Sequence, residues 1–502
     1  MKMIKLSLAA LMAVGVGISL NAADKPKVTL KANRTLVFNK VPPKVDSLKD
    51  MLTEGMFYGR IRINTFKWDW KEETSKNQDN WAAGFGGSLL YKSAEYKGFS
   101  GMAGLYTSQS PWHMDDADVG FIKAGKDTTS RYNVKATGDW GMTVLAQAYM
   151  QYRLNKTKVR VGRQIFESFL TKSNDTKMIP NTFEGVTVVS KDLPKTTLKA
   201  AYLTKQKLRD HTSFHDVITY NTVDDGYDNT KESWANNDDS AVNRSLSYSN
   251  FLAAGMDPNH DLVVLEAANK SIKNLKLKAN YTAVPDVVSS ATVEAYYTIP
   301  AGGLKIIPGV RYMKQFDGGV GDKFAAISTG PVAVANLKGD VTGYTNKYSL
   351  DSWLFAARVD IKSNQAWKFR LGYSKIADEA DIVAPWRGFP TGGFTRAMAQ
   401  YNWYANTKTY MIRGDYSFDK AGLVPGLTAM FRYAIQDFDD NKPGVQADTQ
   451  VIHLDAIQKI KSFPGLEARV RIGLVNGDPQ TGTVTKSDPS YNEYRFELNY
   501  LF

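Results

Sequence analysis

Short segments in which apolar and polar side chains alternate recur along most of the chain, and no other feature constrains its fold as strongly. The first segment covers residues 57–64, where Ile61 and Ile63 share one parity and Arg60 and Arg62 share the other. Successive side chains of a β-strand point to opposite faces of its sheet. Each segment therefore predicts a strand with one apolar and one polar face.

Eighteen strands are predicted in this way, so the expected fold class is all-β. They begin near Met56, Trp81, Phe99, Met142, Thr157, Phe183, Thr196, Asp261, Asn274, Ser289, Leu304, Tyr348, Trp367, Asn406, Gly426, Thr449, Gly465 and Glu493. Short turns and long loops alternate between them, apart from one brief loop near Pro285. The long loops cover 109–141, 167–182, 209–260, 317–347 and 378–405.

This alternation of short and long connections is typical of transmembrane antiparallel β-barrels, which have short periplasmic turns and long extracellular loops. A soluble sandwich or a propeller has no such two-sided asymmetry. The mean hydropathy of −0.35 excludes a bundle of membrane helices, each of which needs about 20 mostly apolar residues. Alternating strands of a membrane barrel are compatible with that value. We therefore expect a transmembrane barrel of about 18 strands.

The N-terminus has the features of a secretory signal peptide over residues 1–23. Lys2 and Lys5 precede an apolar run from 6 to 20, and small residues follow before Asp24. A basic start, a short apolar core and small residues are the three parts of such a signal. We expect the mature chain to begin at Ala23 or at the residue after it.

The remainder of the chain is expected to divide into a periplasmic N-terminal segment over 24–55 and a barrel domain over 56–502. The alternating pattern begins only at Met56, which sets this boundary. The formal net charge is +12. An exported chain meets little nucleic acid, so we expect no nucleic-acid partner and assign the positive charge to other anions.

The last predicted strand has an uninterrupted apolar face. Tyr494, Phe496, Leu498, Tyr500 and Phe502 alternate with polar residues up to the end of the sequence. A closing strand with a terminal Phe resembles the signal that the outer-membrane barrel assembly machinery reads. Phe502 is therefore the candidate assembly signal and that machinery an expected partner, together with outer-membrane lipid and lipopolysaccharide.

Several short motifs give a more specific resemblance. Segments 159–164 (VRVGRQ), 173–175 (SND) and 180–185 (PNTFEG) resemble the third-loop region of the OprD family of outer-membrane porins, and 422–427 (GLVPGL) resembles that family's Gly-x-Pro-Gly-Leu turn. The resemblance implies an 18-stranded channel, narrowed by inward-folded loops, in which a ladder of basic residues guides carboxylate-bearing solutes. Residues 24–55 depart from the family pattern, and the long loops differ freely, so the resemblance does not identify the solute.

Arginines in the predicted strands lie on the polar parity, with Arg163 as the exception. An arginine that faces lipid near mid-membrane costs about 2–4 kcal/mol, so strict sorting is expected in a barrel. Seven near the middle of their strands form the predicted pore-lining basic ladder: Arg60, Arg62, Arg311, Arg413, Arg432, Arg469 and Arg471. A guanidinium binds a carboxylate through two N–H bonds and stays protonated, which favours small carboxylate or anionic solutes. The alternative is that these arginines pair with lumen acids and only brace the wall.

Loop 167–182 is the candidate constriction loop, because the corresponding loop of porins folds into the lumen. Its candidate residues are Lys172, Asp175 and Lys177, and the alternative is an exposed loop. Segment 224–240 is strongly acidic and offers the oxygen ligands that calcium prefers, but it lacks the EF-hand spacing. We therefore favour a solvated acidic loop over a metal site.

Enzyme activity is not expected from this sequence. The chain has five His, no Cys and no Gly-x-Ser-x-Gly elbow, so neither a Ser-His pair nor a thiol nucleophile is indicated. We expect a porin of the Gram-negative outer membrane with no catalytic residue, cofactor or metal. The alternatives are a general diffusion porin and a structural or adhesive barrel. The sequence leaves the oligomeric state open, and a homo-trimer is one assembly that the class allows.

Overall fold

The computed structural model describes residues 26–75, 77–122, 128–218, 246, 248–327, 342–363, 365–398 and 400–502. The predicted signal peptide at 1–23 and the acidic segment at 224–240 lie outside these residues. No helix in the described part of the chain is long and apolar enough to cross a bilayer.

In the described residues, eighteen long strands form one closed antiparallel barrel, which confirms the predicted fold class. They are β1 (Met56–Trp70), β2 (Asn80–Lys92), β3 (Phe99–Gln109), β4 (Met142–Leu154), β5 (Thr157–Gln164), β6 (Thr182–Ser190), β7 (Thr196–Lys207), β8 (Leu262–Asn269), β9 (Leu275–Val284), β10 (Val288–Tyr297), β11 (Leu304–Asp317), β12 (Ser352–Ser363), β13 (Trp367–Ile376), β14 (Lys408–Ser417), β15 (Leu427–Asp437), β16 (Asp448–Lys459), β17 (Leu466–Asp478) and β18 (Tyr491–Leu501). Each strand pairs with its neighbours in sequence, and β18 pairs with β1.

Shorter elements lie at the rims and before the barrel. The short strands are Val28–Leu30, Leu36–Phe38, Lys44–Val45, Glu95–Tyr96 and Ile299–Ala301. The helices are α1 (Leu48–Thr53), α2 (Arg131–Thr137), α3 (Tyr248–Ala253) and α4 (Val320–Ile327), with a 3₁₀ turn at Asp116–Phe121. Helix α1 begins after Ser47, whose hydroxyl accepts a hydrogen bond from the Asp50 N–H at 3.0 Å and so satisfies a donor that the helix leaves unpaired.

The connections at the two ends of the barrel differ as the sequence predicts. Strands β4 and β5 are joined by Asn155 and Lys156 alone, and Asn155 adopts the left-handed conformation with φ 51°. Asparagine tolerates this conformation better than most residues, which suits a two-residue hairpin. Short-turn ends of bacterial barrels face the periplasm, so the long loops mark the external end.

The barrel wall has apolar side chains on its outer face and charged side chains on its inner face, the reverse of a soluble protein. Val161, Val293 and Leu371 are about half exposed on the outside, at 55%, 56% and 48%. Arg60 and Glu497, on the inner parity, are each only 1% exposed. Apolar side chains thus face outward, toward the position of lipid, while charged side chains face the lumen.

Arg163 lies on the outer parity, as the alternation predicts. Its Nε is 3.2 Å from the Glu184 carboxylate of the neighbouring strand, and both side chains are more than a third exposed. The Arg163 guanidinium also lies over the Phe214 ring, with 4.6 Å between Cζ and the ring centroid. The outward-facing charge is therefore partly neutralised close to the external rim.

Candidate functional site

The third external loop (165–181) folds into the barrel and is held against β1 by a buried carboxylate. Arg60 Nη1 lies 2.9 Å from one Asp175 oxygen, and Arg62 Nη1 lies 2.6 Å from the other. Asn64 adds a hydrogen bond from its amide to the Lys177 carbonyl at 3.1 Å. Two guanidinium groups on one carboxylate make this a charge-assisted attachment between the loop and the wall.

The two lysines of the same loop have different surroundings. Lys177 is buried, and its Nζ lies 4.2 Å from the centroid of the Phe66 ring. Lys172 is 39% exposed, and its Nζ lies 3.7 Å from Glu167. Burial lowers the pKa of Lys172 below its ordinary value, while the Glu167 carboxylate opposes the change. Lys172 is thus the candidate constriction lysine that reaches open space in the lumen.

The seventh external loop (377–407) also enters the barrel, where wall arginines bind its backbone. Arg311 Nη1 donates to the Pro390 carbonyl at 2.6 Å, and Arg432 Nη1 donates to the Arg396 carbonyl at 2.8 Å. Gly388 N–H donates to the Leu170 carbonyl at 2.7 Å, which joins this loop to the third loop. A Cβ at Gly388 would lie 2.2 Å from that carbonyl oxygen, so the approach requires glycine.

The seven predicted ladder arginines occupy separate clusters rather than one continuous row. They share five carboxylates within 4.0 Å: Asp175 with Arg60 and Arg62, Glu294 with Arg311, Asp415 with Arg413, Asp455 with Arg469 and Arg471, and Glu497 also with Arg469. Among the described residues, no carboxylate lies within ion-pair distance of Arg432. The ladder residues therefore both brace the wall and leave an excess of positive charge.

Three arginines on adjacent strands lie directly opposite one another. Arg370 of β13 pairs in register with Arg413 of β14, which pairs with Arg432 of β15. His453 of β16 continues the row. Since directly opposite residues project to the same face of a sheet, these groups lie at one height of the inner wall.

A cavity of about 880 Å³ lies between the two inward loops and the inner wall formed by β7 to β12, away from the row of Arg370, Arg413 and Arg432. Its lining includes nine cationic side chains, Lys172, Lys199, Lys270, Lys276, Lys278, Arg311, Arg358, Lys362 and Arg387, and four carboxylates, Glu167, Glu266, Glu294 and Asp360. In the part of the chain that the structure describes, Lys270, Lys276 and Lys362 make no ion pair. The cavity is therefore strongly cationic.

Aromatic rings flank the arginines of this cavity. Arg311 Cζ lies 4.6 Å from the Phe169 ring centroid and 4.5 Å from that of Phe394. Arg358 Cζ lies 4.8 Å from the centroid of Tyr296. Ring faces attract cations and hold a guanidinium plane in place. The cavity thus combines fixed positive charge with flat apolar surface.

Sequence reasoning missed several of these cavity residues. Lys362 continues the polar parity of Arg358 and Asp360, but it lies at the end of its strand, away from the segment centre that the ladder prediction used. Lys270 lies in a turn and carries no strand parity. Arg387 comes from the seventh loop, whose inward course no sequence pattern indicated.

A closed barrel, inward external loops and a charged lumen define a passive channel of the outer membrane. The chain matches the family model described as outer membrane porin, OprD family, over residues 66–502. It therefore belongs to the OprD family, which confirms the predicted location in the Gram-negative outer membrane. The prediction that the chain is no enzyme is confirmed as well, because porins of this family are passive channels.

Solved structures agree with the family assignment at the level of the fold. OccAB3 of Acinetobacter baumannii has a TM-score of 0.66 and 17% identity, and the match covers 90% of this chain and 100% of that one. OccK8 (OprE) of Pseudomonas aeruginosa has a TM-score of 0.66 and 16% identity, with 90% and 99% covered. OpdK of Pseudomonas aeruginosa, solved with vanillate, has a TM-score of 0.62 and 14% identity, with 90% and 99% covered. No curated protein sequence matches the chain.

Proposed function

We propose that this porin favours small carboxylate-bearing solutes and that they pass through the 880 Å³ cavity. The observation that carries the proposal is the excess of nine cationic side chains over four carboxylates in the cavity lining. Inside a narrow lumen, salt screens fixed charge less than it does at an open surface. An anion therefore meets a lower barrier there than a cation of equal size.

The lysines without ion pairs give the cavity its mobile cationic groups. Lys270, Lys276 and Lys362 lie toward the short-turn end of strands β8, β9 and β12. An ammonium group is a compact charge on a flexible stem, so it can follow a solute over a short distance. Conduction requires release as well as entry, and several weak sites serve this better than one tight site.

The ladder arginines have a complementary role in this proposal. Seven guanidinium groups share five carboxylates, and Arg34 and Lys278 contact two of those acids as well. The clusters therefore keep a net positive charge while their geometry stays fixed by hydrogen bonds. Arg311, which lines the cavity and is held in place by Glu294, is the ladder residue best placed to act on an anion that passes there.

Aromatic carboxylates fit the cavity best within this class of solutes. The rings of Phe169 and Tyr296, which line the cavity, offer flat apolar surface beside Arg311 and Arg358. A planar solute with one carboxylate can contact both kinds of group. The presence of vanillate, an aromatic carboxylate, in the OpdK structure supports the same solute class.

Paired flux measurements test the proposal. Proteoliposomes with the purified channel would be exposed to benzoate and to a neutral sugar, which does not cross lipid readily, and the reversal potential would be measured in planar bilayers in a KCl gradient. We expect anion selectivity and a benzoate flux that falls several-fold in the Lys276→Gln, Lys362→Gln double variant. Lys420→Gln, in an exposed turn, is the matched control. Equal loss of both solutes, or no anion selectivity, would favour a general diffusion porin.

A further inference from the structure

Residues 26–40 form a hairpin that lies against the inner wall of the barrel. Val28–Leu30 pairs antiparallel with Leu36–Phe38, and the turn between them carries Arg34. Arg34 is 3% exposed and forms ion pairs with Glu467 of β17 and with Glu497 of β18. We call this segment the N-terminal hairpin. It precedes the part of the chain that the family model matches.

The wall beneath the N-terminal hairpin is apolar, unlike most of the inner face. Leu36 and Phe38 pack with a cluster that includes Tyr58, Leu90 and Met102. The Phe38 and Tyr58 rings meet edge to face, with 4.7 Å between their centroids. In an open channel these wall residues would face water, at a cost of roughly 25 cal/mol for each Å² of apolar surface. The wall is therefore matched to a covering segment.

The charges of hairpin and wall are matched as well. Residues 26–40 contain four cationic side chains, Lys27, Lys31, Arg34 and Lys40, and no carboxylate. Glu467 is 6% exposed, and Arg34 is its one ion-pair partner among the described residues. A buried carboxylate without a partner is strongly destabilising. Loss of the Arg34 side chain while the hairpin stays in place would therefore leave the Glu467 carboxylate buried without its partner.

The N-terminal hairpin also contacts the constriction loop. Asn33 Nδ2 donates to Glu167 at 3.1 Å, and the Arg34 carbonyl accepts from Arg60 Nη1 at 3.0 Å. The same Arg60 group binds Asp175 of the third loop. Hairpin and loop therefore share one attachment point on β1.

The lumen next to the hairpin is divided into two compartments. Asn33 lines the 880 Å³ cationic cavity, while Lys31, Thr35 and Phe38 line a second cavity of about 490 Å³. Glu167, Thr197 and Lys199 line both cavities, so they lie at the boundary. Lys199 Nζ donates to the Glu167 carbonyl at 2.6 Å at this boundary, and Asn33 of the hairpin holds the Glu167 side chain beside it.

We propose that the N-terminal hairpin is a lumenal plug, held by Arg34, which narrows the channel and confines solutes to the larger cavity. Release of the hairpin opens the space that it fills beside the two cavities and widens the path. The proposal concerns the width of the channel and does not depend on a preference for carboxylates. Conductance therefore tests it separately from solute selectivity.

The backbone of Arg34 offers a selective way to remove the anchor. Its φ is 68°, in the left-handed region that favours glycine over side chains with a Cβ. Arg34→Gly therefore keeps a backbone that suits the hairpin turn and removes the side chain with its guanidinium. Arg34→Lys is the matched variant, since it keeps one positive charge but not the fork.

The experiment uses the absence of cysteine from the chain. Val28, which is fully buried, is replaced by cysteine and its reaction with a polar maleimide is timed in folded protein. We expect protection in the Val28→Cys chain and at least about tenfold faster labelling once Arg34→Gly is added, because breaking a buried ion pair is costly. Single-channel conductance should rise in the same variant, and less in Arg34→Lys.

Ala434→Cys serves as the control position, since Ala434 is fully buried on β15 in a different apolar cluster and should stay protected in every variant. Slower migration after boiling in detergent gels confirms that the barrel is folded. Fast labelling of Val28→Cys while Arg34 is intact would contradict the claim that Arg34 anchors the hairpin. Continued protection after Arg34→Gly is added would contradict it as well. Fast labelling with unchanged conductance would show that the hairpin is released but does not narrow the channel.

Discussion

The inner faces of two parts of the barrel differ in what they present to the lumen. On β1 to β3, Tyr58, Leu90 and Met102 make the inner face apolar where the N-terminal hairpin covers it. On β13 to β15, Arg370 and the register pair formed by Arg413 and Arg432 make it cationic. Parity alone places all these residues on the same side of the sheet. The character of the inner face therefore follows the segment that covers it, and not the barrel itself.

Charge reversal on the cationic wall should have the largest effect. Arg413→Glu combined with Arg432→Glu reverses two opposed charges at one height of neighbouring strands. We expect the reversal potential in a KCl gradient to move toward cation selectivity, and carboxylate flux to fall several-fold more than neutral-sugar flux.

The matched control is Arg413→Lys with Arg432→Lys, which keeps the charge and should keep anion selectivity. If both fluxes fall alike in the Glu variant, the arginines only brace the wall. If neither changes, these side chains do not act on the permeating solute.

A truncation on the apolar wall should have an intermediate effect. Leu90→Ala removes buried contacts beneath the N-terminal hairpin, and such changes cost about 2–5 kcal/mol in a packed site. We expect faster maleimide labelling of Val28→Cys than in the parent chain, with anion selectivity retained. Leu371→Ala, on the outer face where Leu371 is 48% exposed, is the control and should leave labelling unchanged. Equal labelling in the two variants would show that the apolar wall does not seat the hairpin.

Alkaline pH should have the smallest effect, through Lys172 of the third loop. Burial lowers the pKa of this lysine, so rising pH removes its positive charge earlier than for an ordinary lysine. We expect anion selectivity to decline as the pH increases from about 7 toward 10. Lys172→Arg keeps the charge over this range, so anion selectivity in this variant should change little between these pH values. An identical decline in the Arg variant would assign the effect to other groups.

The barrel could be predicted from the sequence because a period of two is a local signal. Strand starts at Phe99 and Thr157 agree with the prediction, since each follows a clear turn, and the start at Met56, after helix α1, agrees as well. Strand β12 begins at Ser352 rather than near Tyr348, because hydrogen bonds from the Tyr348 and Ser349 N–H groups to the Asn346 side chain form a turn there first.

The site could be predicted only in part, for physical reasons. Parity indicates the face on which Arg60 and Arg62 lie, but not that both would meet Asp175, which is more than a hundred residues away. The strands of the N-terminal hairpin have three residues each, too few for an alternating pattern to stand out. Their position depends on Glu467 and on the apolar wall, which are distant in sequence.

The seam between β1 and β18 joins strands from opposite ends of the barrel sequence. Arg60 and Asn499, which share a hydrogen bond across it, are 439 residues apart. Neighbouring hairpins can form early because they close short loops, whereas this contact must bring together the ends of a very long one. At the rim, Gly59 leaves the space that the Phe502 ring fills, since a Cβ there would lie 1.9 Å from that ring. Until the seam forms, β1 and β18 carry rows of unpaired backbone groups, and such edges readily pair with other chains. Folding of this porin therefore depends on keeping two distant edges apart from other strands until they meet each other.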